Sequence, residues 1–140
     1  MDSGAPCPAL YSDEVGLRCA YYLSPRVAQD DAVAVLKFEI VLQHRFGYPN
    51  DEALTGHPLS GVGLRPYNFY TVENSRWRAE IENQNSAHHL SRPGIYAKFH
   101  HWLITFHDET LEVLAQRASV IGRSLLPPNK AVLELNDPTE

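Results

Sequence analysis

The stretch that most constrains this chain is Tyr96 to Arg117, YAKFHHWLITFHDETLEVLAQR, in which two alternating runs, Phe99–Phe106 and Leu111–Ala115, flank the polar step His107-Asp108-Glu109-Thr110. Alternation at period two is the pattern of a strand with one buried face, and two such runs about a polar step predict a β-hairpin. A turn centred on Asp108-Glu109 sets Phe106 opposite Leu111 and Thr105 opposite Glu112. One face then carries Trp102, Ile104 and Phe106 with Leu111, Val113 and Ala115, an apolar surface that needs a core. The other carries His101, Leu103, Thr105 and His107 beside Thr110, Glu112, Leu114 and Gln116. Thr105 and Glu112 are therefore expected to be the more exposed residues, on a face that is either solvated or a site.

The rest of the chain supplies what such a hairpin must pack against. Ala32–His44, AVAVLKFEIVLQH, is rich in β-branched residues and alternates. A helix capped by Asp30 or Asp31 and ended by Gly47 is the alternative, but the stretch reads better as a long strand with Ala34, Leu36, Phe38, Ile40 and Leu42 facing the core and Lys37, Glu39 and Gln43 facing outwards. Leu17–Leu23 and Tyr67–Val72 are short aromatic strands, and a last strand is expected near Ala131–Leu135. Asn74 or Ser75 offers a cap for a helix over Ser75–Asn85, with Trp77 and Ile81 on one face. Between strand and strand, Phe46–Pro66 is dense in glycine and proline, and a connection of that length is usually either functional or disordered. Its Tyr48, Leu54, Leu59 and Leu64 predict a loop that packs back on the body. The fold class expected is α+β, a mainly antiparallel twisted sheet with one covering helix. A flexible segment 1–14, a globular domain 15–126 and a C-terminal extension 127–140 complete the organisation.

At 140 residues, one core is the expectation. The formal charge of −5, with 12 scattered Lys and Arg, argues against nucleic acid as partner. The start lacks a basic, then apolar, signal pattern and no apolar run approaches membrane-spanning length, so no membrane is expected. Cys7 and Cys19 are too few and too far apart for a zinc or CxxC motif and read as reduced thiols of a cytoplasmic protein.

The series Tyr48-Pro49-Asn50-Asp51-Glu52, Gly56-His57-Pro58-Leu59, Gly63-Leu64, Tyr67, Val72-Glu73-Asn74-Ser75, Trp77, Phe106, Asp108 and Glu112 resembles a family of small uncharacterised bacterial proteins. The resemblance spans about Gln43 to Ala115. It implies that loop and hairpin belong to one unit, and implies no reaction, cofactor or partner.

Two functions follow from the residues. The first is a binding or interaction protein, for which a homo-oligomer is one open form, that engages a protein or small molecule through the long loop and the outer hairpin face, with Arg65, Tyr67, Tyr70 and Glu73 as contacts. The second is a small metal-dependent enzyme. In the expected register Glu112 is diagonal to His107, and His57 from the loop completes a two-histidine, one-carboxylate set for a divalent ion, with Glu73 as candidate base. The bland alternative is that His57 and His107 are turn residues, Glu112 a solvated strand residue and Glu73 a helix-capping carboxylate. No Gly-x-Ser-x-Gly elbow supports nucleophilic catalysis.

Overall fold

The computed structural model describes residues 1–24 and 31–134. Six strands, β1 (Ala9–Ser12), β2 (Gly16–Tyr22), β3 (Val33–Gly47), β4 (Phe69–Val72), β5 (His100–Thr105) and β6 (Thr110–Ser124), form one antiparallel sheet in the order β1-β2-β3-β6-β5-β4. Among the described residues two helices accompany them, α1 (Arg76–Asn85) and α2 (Pro128–Glu134), so the α+β expectation is met with one helix more than predicted. Among the described residues no helix is long and apolar enough to cross a membrane.

The 15-residue strands β3 and β6 each carry two different neighbours. β2 pairs with the first half of β3, Val33–Glu39, and β5 pairs with the first half of β6, Thr110–Ala115, which itself lies against Val41–Gly47. Tyr21 is opposite Ala34 at one end of β3, and Phe106 adjoins Leu111, which is opposite Phe46 at the other. Twelve residues of extended strand span about 40 Å. Yet the Tyr21 and Phe106 rings sit edge to face with centroids 5.5 Å apart. The sheet is therefore creased across β3 and β6 and folded onto itself, the corner arrangement in which long strands pass from one layer to the other. Leu17, Cys19, Leu36 and Phe38 from one half and Ile104, Phe106, Leu111 and Val113 from the other fill the space between, and Phe38 meets Trp102 at 5.7 Å.

The crease lies at Ile40, whose φ of 54° is left-handed, a conformation rare for a β-branched residue. Register shifts lie on both sides of it, between Val35 and Leu36 and between Val41 and Gln43. Phe38 and Val41 both pack on the same core cluster, so the alternation changes parity here. The expected strand exists, but its predicted facing fails beyond the crease. Ile40 is exposed, Leu42 is only partly buried, and Lys37, expected outwards, is buried. Gln43 and Arg45 are turned onto the outer face of the second half, opposite Leu114 and Glu112.

Each half is covered on its outer side. Ala131 and Val132 of α2 pack on Ala20, Val33 and Val35. The strand expected at Ala131–Leu135 is thus this helix, begun by Pro128, whose fixed φ suits a first turn; Leu135 and the acidic end lie outside the described residues, as does most of the loop to Asp31 that Ser24-Pro25 predicts after Leu23. At the other terminus, the fraying expected over 1–14 is replaced by β1, and the Asp2 and Tyr22 backbones are joined by a hydrogen bond at 3.0 Å. The second half is covered by α1 and the 48–68 connection. This explains a second correction: Thr105 at 1% and Glu112 at 8% exposure are buried, as are Leu103 and Leu114, because the supposedly wet hairpin face is roofed. Trp102 is only partly buried.

Candidate functional site

The hairpin forms, with its two faces composed as expected, but its turn is one residue earlier. Phe106 N–H donates to Glu109 O at 2.9 Å, closing the chain over His107-Asp108. Thr105 is opposite Thr110 and Leu103 opposite Glu112, a register displaced by two residues from the predicted one. A shift of two keeps every side chain on its face and changes only its neighbours. Glu112 consequently lies diagonal to His101 instead of His107.

That displacement assembles the site. His101 Nε2 lies 2.9 Å from Glu112 Oε1, and His57 Nε2 lies 3.3 Å from Glu112 Oε2, with all three side chains buried. His101 Nδ1 is 2.7 Å from Ser75 Oγ, which as the cap of α1 also accepts from Arg78 N–H at 3.1 Å. The helix cap predicted from sequence thus has a second task, holding a histidine. Trp77, one residue into α1, stands edge-on to His101 at 5.1 Å and donates its indole N–H to Gln43 Oε1 at 3.0 Å. His57 enters from the loop, placed by a short 3₁₀ turn over Leu54–Gly56, and its Nδ1 accepts from Leu59 N–H at 3.0 Å.

The hydrogen bonds fix the protonation of one ring. A nitrogen that accepts from a backbone amide has no proton, so His57 is neutral and carries its hydrogen on Nε2, donating to Glu112. Burial pushes the Glu112 carboxyl up, but the hydrogen bonds from His101 and His57 outweigh it and hold the group below its ordinary value. The Ser75 hydroxyl can rotate either to donate to or to accept from His101 Nδ1.

This same tautomer bears on the metal hypothesis. A ring that ligates through Nε2 needs a lone pair there, which His57 does not have while Leu59 N–H occupies Nδ1. The predicted set of His57, His107 and Glu112 is not assembled. His107 Nδ1 lies 2.9 Å from Asp51 Oδ2 and 3.0 Å from the Tyr67 hydroxyl, and Tyr67 donates to Asp51 at 2.5 Å. Among the described residues no three His, Cys, Asp or Glu side chains are arranged to hold a metal ion.

A cavity of about 730 Å³ opens above the network, with His57, His101 and Glu112 in its floor and the end of β3, the start of α1 and the Tyr48–Leu59 loop as walls. Of the predicted contact residues Glu73 lines it, exposed at the rim. Arg65, Tyr67 and Tyr70 do not; they anchor the connection. Arg65 N–H donates to the Tyr70 hydroxyl at 2.9 Å, Thr105 Oγ1 donates to Arg65 O at 2.7 Å, and Tyr67 clasps Asp51 and His107. Thr110 Oγ1 to Pro49 O and Asp51 N–H to His107 O tie the loop to the hairpin, so it packs back as expected, except that Tyr48 projects outwards at 89% exposure. Sequence reasoning missed His101, Ser75, Gln43 and Arg45. An earlier turn would have exposed the first, since Glu112 and His101 then become diagonal neighbours; Gln43 and Arg45 depend on the crease, which no pattern in the sequence announces.

No protein family, curated protein or solved structure matches this chain.

Proposed function

We propose that the protein is a small binding module whose long loop and outer hairpin face receive a ligand in the cavity over Glu112. The observation that carries this reading is the floor itself. All four ring nitrogens of His57 and His101 are engaged within the protein, so the site offers a shaped, charged recess and no free base or metal ligand. Its volume falls within the ordinary range for small-molecule sites. Ser75, although bonded to His101, is tied as a helix cap and does not line the cavity, which disfavours a nucleophilic role. Glu73 serves as a polar rim contact. A small molecule suits the recess better than a flat protein partner, and two free thiols suit a reducing, cytoplasmic setting.

The test is affinity selection from a metabolite mixture, read by mass spectrometry, with the wild-type chain and the double variant Tyr48→Ala, Leu59→Trp, which alters one wall of the cavity. Compounds retained by the wild type and lost by the variant are the expected result. Retention by neither, or equally by both, would end the reading.

A further inference from the structure

Arg45 and Glu112 are directly opposed across β3 and β6, on the same face. Opposite charges at such positions ordinarily pair, their Cβ atoms being about 5 Å apart. Here they do not. Both Glu112 oxygens are taken by histidines, and among the described residues Arg45 makes no ion pair and donates no hydrogen bond. Its guanidinium instead lies over the Trp77 ring, 4.0 Å from the centroid. Trp77 is a rigid platform, 5% exposed, held by Gln43 at its indole N–H and by the edge contact with His101. A guanidinium stacked in this way has its orientation fixed and its N–H fork free in the plane, and both residues line the cavity.

We propose that the cavity is a carboxylate-recognition site, in which the Arg45 fork on Trp77 receives the two oxygens of a monoanionic carboxylate whose apolar body lies toward Leu59 and Tyr48. The proposal rests on the binding reading above and specifies its ligand. Planar two-oxygen anions match the guanidinium fork, and such bidentate pairs are the stronger class of hydrogen bond. Glu73 and Glu80 line the same cavity and Glu112 lies in its floor, three carboxylates against the two guanidiniums of Arg45 and Arg76, so each further negative charge on the ligand meets more repulsion than attraction, which favours a carboxylate over a phosphate dianion. A cation finds no vacant buried carboxylate, because Glu112 is already held by His57 and His101. The histidine pair thus has a purpose in this site: it satisfies Glu112 and leaves Arg45 available to the ligand.

The chain has two tryptophans, so its indole N–H signals are two, and Trp102→Phe assigns that of Trp77. Sodium benzoate, benzamide, benzylammonium and phenyl phosphate are titrated at constant ionic strength while the Trp77 signal is followed. Benzoate is expected to shift it saturably. Arg45→Gln is expected to weaken that binding roughly tenfold or more, and Arg45→Lys, which keeps the charge but loses the fork, by less. Arg45 is exposed, so both variants should keep the wild-type circular dichroism spectrum. Benzamide or benzylammonium binding as tightly as benzoate would overturn the carboxylate assignment while leaving a binding cavity. Phenyl phosphate binding more tightly, or benzoate binding unaltered in Arg45→Gln, would overturn it too. If no probe moves the Trp77 signal the assignment falls, and the metabolite selection decides the binding reading separately.

Discussion

Glu112 is the residue on which the site turns, and its neighbours make its contribution measurable. Its carboxyl is held below the ordinary value in the folded state, so the stabilisation it contributes is present above about pH 4.3, the unfolded value, and is lost as pH falls through the lower folded one. Urea midpoints measured downward from about pH 5 should fall more steeply for wild type than for Glu112→Gln, whose side chain does not titrate. The same variant should be less stable by about 1–3 kcal/mol at neutral pH, because the amide offers one acceptor oxygen where the carboxylate offers two and lacks the charge that strengthens both bonds. Parallel acid limbs in the two proteins would mean that Glu112 is not held as described. A second residue-scale contrast concerns the thiols. Cys7 is exposed while Cys19 is buried, and burial pushes its thiol pKa up. A disulfide reagent should therefore label one cysteine in the native protein and two after denaturation.

Among the elements, β3 departs furthest from its own sequence pattern. Ile40 adopts a left-handed φ that costs an L-residue about 1–2 kcal/mol and that glycine adopts freely. Because the side chain is 48% exposed, Ile40→Gly is expected to leave stability within about 1 kcal/mol of wild type, the relief of strain offsetting the lost packing and the looser unfolded chain. A destabilisation above about 2 kcal/mol in chemical denaturation would mean that the crease does not depend on that conformation. Helix α1 behaves more as its sequence suggests. Ser75 caps it and Trp77 docks, while Ile81 is only partly buried, in keeping with a narrow apolar stripe. Ser75→Ala should cost about 1–2 kcal/mol through the lost cap, and it should also remove the hydroxyl that holds His101 Nδ1 opposite Glu112.

For the whole molecule, the folded sheet makes residues at the tips of the two halves interdependent. Phe106 is 1% exposed and meets Tyr21 from the opposite layer, so Phe106→Ala should cost about 3–5 kcal/mol, read from the denaturant midpoint at unchanged slope. A loss below about 1 kcal/mol would show that the layers do not close on one another. Much of this architecture was legible in the residues. Alternation defined the strands and the inner hairpin face, and the Asn74-Ser75 step marked the start of α1, since both are properties of short segments. The site was legible only in part: His57 and Glu112 were singled out, but with His107 as their companion. Period two specifies which face a side chain takes and is blind to displacements of two residues, so the choice between His107 and His101 was open until the turn and the opposing strand β3 set the register. The crease at Ile40, which turns Gln43 and Arg45 toward Trp77, and the roof of loop and helix that buries Glu112 arise from contacts between segments distant in the chain. Local pattern determined the elements and their inner faces, and tertiary packing decided the neighbours, because side-chain chemistry at a site depends on distances that only the closed sheet establishes.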